Sequence, residues 1–117
     1  MAAEMKGDVV RSASVGLPGR TLNSARTQHF VIDSSSGPGE ALNSVEAFLS
    51  GISSCGVTLI ELQAQREGIP LKSMAVTIEG RRNPANTTRF ETISLHFEMV
   101  GVSQGQAEQL VEAYQSR

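Results

Sequence analysis

Cysteine is nearly absent from this 117-residue chain: Cys55 is the only one, so no internal disulfide can form and a disulfide-stapled scaffold is excluded. Tryptophan is missing and aromatics make up only 4% of the residues, which leaves no base-stacking platform of the kind single-strand binders use. Charge of one sign is also scarce. The net charge is -2, with no basic run and no acidic block, so neither nucleic acid nor an anionic membrane is expected as the main partner. His29 and His96 stand alone on predicted strands without a Cys/His cluster around them, and no metal or other cofactor is expected. No apolar run approaches the roughly 20 residues of a spanning helix. The start MAAEMKGDVV lacks the apolar segment of a signal peptide. A cytoplasmic protein is the expectation, since a reducing compartment suits an unpaired cysteine.

What the chain does have is one long, mostly apolar stretch, Asn43 to Glu67, NSVEAFLSGISSCGVTLIELQAQRE, with Cys55 near its middle. Apolar residues recur at Phe48, Ile52, Leu59 and Leu62, a helical spacing rather than a period of two. Cys55 falls inside that stripe, so its sulfur is expected to point inward, as inert packing or as chemistry in a sheltered pocket. Asn43 followed by Glu46 is a capping-box pattern. Gly68 suits a left-handed cap at the far end, and Pro70 forbids continuation. Gly51 and Gly56 inside the helix each cost about 1 kcal/mol relative to alanine. With Ser50, Ser53 and Ser54 they leave a flat surface where another helix or backbone can come close.

Around this helix the sequence predicts strands. Asp8 to Val15 and Thr27 to Asp33 are expected to pair as an antiparallel hairpin through the Leu17–Asn23 region, with Pro18-Gly19 as its turn. Leu71 to Gly80 alternates with Met74, Val76 and Ile78 on one face, and Phe90 to Met99 with Ile93, Leu95, Phe97 and Met99 inward. Ser103 and Gln106 form a second capping box, ahead of a helix with Ala107, Leu110, Val111 and Tyr114 on its apolar face. That helix shows no stop signal, and its next inward position would be 118, which implies that the natural chain continues beyond Arg117. The expected fold is α+β, one domain over residues 1–117, with an antiparallel sheet packed on a long central helix.

The stretch from Gly37-Pro38 through Asn43–Glu46, Ser53-Ser54-Cys55, Gly68-Ile69-Pro70 and Ala75–Gly80, continuing through Phe90–Gly101 and Ser103–Tyr114, resembles the OsmC-like family. That family includes the organic hydroperoxide resistance proteins. The resemblance implies an intertwined homodimer and a thiol-dependent peroxidase that reduces organic or lipid hydroperoxides, with a dithiol as reductant. It implies Cys55 as the attacking thiol, assisted by an Arg and a Glu. Arg20, which follows Gly19 in the first turn, is the first choice for the Arg, Arg26 is the second, and Glu46 is the Glu. Ser44 stands where the family usually has Pro. The family's second, resolving cysteine belongs to a Cys-Pro pair on the later helix, and its expected position coincides with 118. By this comparison, residues 1–117 lack the end of that helix and the last strand.

Each of these residues also has a plain reading. Cys55 can be a small buried hydrophobe, Arg20 a solvated turn arginine, and Glu46 simply the acidic member of a capping box. Phe48, Ile52 and Leu59 would line a pocket suited to an alkyl hydroperoxide, or they are core. Nine residues at about 100° each put Glu46 and Cys55 on opposite sides of a straight helix, roughly 13 Å apart along its axis. Both can then serve one pocket through a long Arg bridge, a bend near Gly51, or contribution from different subunits, and different subunits are favoured. The other function class compatible with the fold is a non-catalytic dimeric module binding a hydrophobic small molecule.

Overall fold

The computed structural model describes Met5 and residues 7–116, and these fall into two compact units divided between Ala47 and Phe48. The continuation of the last helix expected beyond Arg117 lies outside the described residues. The first unit holds β1 (Arg11–Ser14), β2 (Arg20–Ala25) and β3 (Gln28–Asp33), an antiparallel sheet in the order β1-β2-β3. The predicted hairpin of the first and last of these is therefore corrected. Part of the presumed connection, from Arg20 onward, is the central strand, and β1 pairs with β2 alone. The sequence RTLNSA has one large apolar residue, Leu22, so no alternation marks it as a strand. Hydrogen-bonded neighbours on both sides make it one. The turn before β2 closes with the Arg20 N–H donating to Leu17 O at 3.1 Å. Gly19 there has φ +85°, and a Cβ on it would stand 2.6 Å from Gly37 Cα, so only glycine fits. No apolar side chain is buried among the described residues of this unit. Its two buried residues are polar, Asn23 and Asp33.

The long helix, α1 (Ser44–Glu67), starts as the sequence predicts. The Glu46 N–H donates to Asn43 Oδ1 at 2.8 Å and the Asn43 N–H donates to Glu46 Oε1 at 2.9 Å, a closed capping box. It ends on Gly68 at φ +66°, with the Gly68 N–H donating to Gln65 O and the Ile69 N–H to Ala64 O, the Schellman pattern. By length and composition α1 is apolar enough to cross a membrane, against the expectation that no apolar run is long enough to span one. Serines and glycines break up its apolar run without adding charge. Core helices pass the same test.

The second unit pairs β4 (Ser73–Arg81) with β5 (Thr92–Val100) as an antiparallel hairpin, and α2 (Gln104–Gln115) follows. The Ser103–Gln106 capping box closes in both directions. The core is Ile60, Ala64 and Leu110, with Ile69, Leu71, Met74, Phe97, Met99 and Tyr114 packed against it. The alternation predicted for these strands holds, except that Ile93 is exposed. Both sheets are antiparallel and the fold is α+β, although the five strands form two sheets rather than one.

One expectation about α1 is overturned. The buried line of this helix is Gly56, Ile60 and Ala64, at i, i+4 and i+8. The stripe predicted to face inward is not: Phe48 is 56% and Leu62 39% exposed, and Cys55 is exposed too, so its sulfur does not point into the core. Ile52 and Leu59 are half-buried. The physical reason is that α1 is apolar on most of its circumference, so periodicity does not select one face. Close approach selects it instead, because a Cβ on Gly56 would already touch the Tyr114 ring at 3.4 Å.

Candidate active site

Arg20 begins β2 directly opposite Asp33, the last residue of β3. From that register the guanidinium reaches the carboxylate in a two-pronged grip, Nε donating to Oδ1 at 2.7 Å and Nη2 to Oδ2 at 2.8 Å. Two backbone groups complete the shell: the N–H of Glu40 at 2.9 Å and that of Ala41 at 3.0 Å both donate to Oδ2. Nη2 of Arg20 also donates to Glu40 Oε1 at 3.0 Å. The bonds from Arg20, reinforced by the two backbone N–H groups, hold the Asp33 carboxyl well below the usual carboxylate range although burial acts the other way. The bonds to Asp33 and then Glu40 keep the guanidinium more firmly charged than usual. Arg20 opens onto a cleft of about 530 Å³ lined also by Leu17, Pro18, Ile32, Ser34 and Ser44.

The other expected site residues are placed as follows. Arg26 sits in the two-residue turn between β2 and β3 with φ +56°, away from the carboxylates that hold Arg20. Glu46 is engaged in the capping box of α1. Cys55 is a free, exposed thiol on α1. Phe48 stacks on Phe90, with ring centroids 6.1 Å apart and planes inclined by 12°, and the Arg82 guanidinium lies 5.7 Å over the same Phe90 ring. Arg20 and Glu46 belong to the first unit; Cys55, Phe48, Ile52 and Leu59 belong to the second. Asp33 and Glu40 were missed by the sequence reading as partners of Arg20. Recognising β2 as a strand would have placed Asp33, since the register alone sets it opposite Arg20.

A family model described as OsmC-like protein matches residues 37–117, a segment that holds α1, β4, β5 and α2 and begins after Arg20 and Asp33. No curated protein sequence matches the chain. Among solved structures, it is similar to an organic hydroperoxide resistance protein OsmC from Legionella pneumophila, with TM-score 0.74 and 19% identity over 97% of this chain and 85% of that one. An organic hydroperoxide resistance protein from Elizabethkingia anophelis, bound to thiocyanate, gives TM-score 0.76 and 16% identity over 98% and 85% of the two chains. An OsmC-like protein from Mycoplasma pneumoniae gives 0.81 and 16% over 96% and 82%. At such identities the likeness speaks for the fold.

Proposed function

For a chain that belongs to the OsmC-like family, with a stress-response, peroxide-related role as its setting, we propose a thiol peroxidase that reduces organic hydroperoxides. The observation that carries this reading is the placement of the only cysteine. Cys55 is a free thiol on the side of the central helix that the chain's own core leaves open. In the reaction the Cys55 thiolate attacks one peroxide oxygen, so that an S–O bond forms as the O–O bond breaks. The sulfur is oxidised to a sulfenic acid, and the other oxygen takes a proton and leaves as an alcohol. A second thiol then attacks the sulfenic sulfur, forming a disulfide and releasing water, and a dithiol reductant in the cytoplasm restores Cys55. That second thiol comes from outside residues 1–117, because Cys55 is the only cysteine among them. Arg20 supplies the cation that stabilises thiolate or peroxide oxygen, and Glu46 assists it. Phe48, Ile52 and Leu59 line the apolar part of the site.

A second copy of the chain completes this site in the proposal. Two observations support it. The first unit buries no apolar side chain of its own among the described residues, and small sheets need an apolar face packed on something to be stable. Helix α1 keeps a second apolar face open at Phe48 and Leu62. One observation favours the non-catalytic alternative: Arg20 is already paired with two carboxylates, and Glu46 is engaged at the helix start.

The deciding experiment treats the folded protein with one equivalent of an alkyl hydroperoxide and traps the sulfenic acid with a dimedone-type reagent. Rapid labelling of Cys55, absent in Cys55→Ser, is expected. No labelling of the folded protein would leave Cys55 without a peroxidatic role and the family likeness as fold alone. Dilution to monomer should abolish the reaction, and an active monomer would refute the shared site.

A further inference from the structure

The Arg20–Asp33 pair is more built than a surface ion pair. The Asp33 side chain is fully buried, that of Arg20 is 21% exposed, and the second carboxylate, Glu40, is 75% exposed. Every bond to Asp33 comes from a fixed position. Arg20 is its cross-strand neighbour, the Glu40 and Ala41 N–H groups come from the loop that leads to α1, and the Asp33 N–H itself donates to Leu42 O at 3.0 Å. A carboxylate held in its ionised form by one bond on Oδ1 and three on Oδ2 is not poised for acid–base work. It can still aim another group. Gripping the guanidinium by Nε and Nη2 fixes the plane of the fork, and Nη1 has no hydrogen-bond partner among the described residues.

We infer that Asp33 is the positioning residue of the site: it fixes the plane and direction of the Arg20 guanidinium so that the remaining N–H edge meets a thiolate or peroxide oxygen. The inference rests on the reading above that Arg20 serves Cys55. Asp33 touches no reacting atom. Glu40, exposed and held by one bond, is the peripheral partner and Asp33 the permanent one. Lysine in place of Arg20 would keep the charge but lose the two-pronged grip, and with it the fixed direction.

The test is the pH profile of Cys55 alkylation by iodoacetamide, measured on the full chain for wild type, Arg20→Ala, Arg20→Lys, Asp33→Asn and Arg20→Ala/Asp33→Asn. The reacting species is the thiolate, so losing a well-aimed cation moves the profile to higher pH. Arg20→Ala should move it most. Asp33→Asn and Arg20→Lys should each slow alkylation near neutral pH by about twofold or more in the same direction, and the double variant should match Arg20→Ala. An unmoved profile in Arg20→Ala overturns the role of Arg20 and this inference with it. A moved profile in Arg20→Ala with Asp33→Asn and Arg20→Lys like wild type overturns the positioning role alone. Should Asp33→Asn fail to fold, Arg20→Lys decides: a wild-type profile there means a fixed plane is not needed, and the inference falls.

Discussion

Gly56 offers a sharp check on which face of the central helix is buried, because two effects of opposite sign meet there. Alanine in a helix is favoured over glycine by about 0.8–1.0 kcal/mol. Against that gain stands the packing of α2, since a Cβ on Gly56 would lie 3.4 Å from Cζ and Oη of Tyr114. That distance is an ordinary contact rather than a clash, and single contacts of this kind are worth only about 0.1–0.2 kcal/mol. Gly56→Ala is therefore expected to stabilise the protein by about 0.5–1 kcal/mol. Gly56→Leu has no space beneath Tyr114 and should cost about 1–3 kcal/mol. Urea unfolding with an unchanged slope measures both. In a Tyr114→Ala background much of the leucine penalty should disappear, which assigns it to this contact. A loss of more than about 1 kcal/mol in Gly56→Ala, or a harmless Gly56→Leu, would refute the placement of Tyr114 over Gly56.

Ile60 is fully buried at the centre of the second unit, so Ile60→Ala should cost about 2–5 kcal/mol and Ile60→Val about 0.5–1.5 kcal/mol in the same unfolding assay. A change within experimental error for Ile60→Ala would mean that the core lies elsewhere. Ser103→Ala opens the capping box of α2 and should destabilise by about 1 kcal/mol, with Ser103→Asn close to wild type. Equal losses in the two variants would show that the hydroxyl's bond is not what matters. For Asp33 the folded carboxyl titrates below its unfolded value, so its contribution is fully present above about pH 4 and is lost as the pH falls from there toward the lower folded value. Unfolding of wild type and Asp33→Asn followed from neutral to acid should converge in that window. Parallel curves would remove the special environment of Asp33.

Much of the local architecture was determined by the sequence alone, because its signals act over a few residues. Asn43 with Glu46, Ser103 with Gln106, and Gly68 before Ile69-Pro70 each satisfy backbone groups within one turn of a helix end, and each closes as its spacing predicts. The alternation of β4 and β5 was equally legible, because one side of that hairpin is half-buried against the helices. Tertiary structure alone decided three things. Arg20–Ala25 became a strand because neighbours pair on both its edges, and its own side chains say little about it. The buried face of α1 was chosen by how closely Tyr114 could approach Gly56, since hydrophobicity around that helix does not discriminate and the small residues that permit contact score weakly. The Arg20–Asp33 pair exists only through the register of two strands separated by a turn. Residues that make a site from opposite strands carry no common spacing in the chain, whereas a cap and its helix share one.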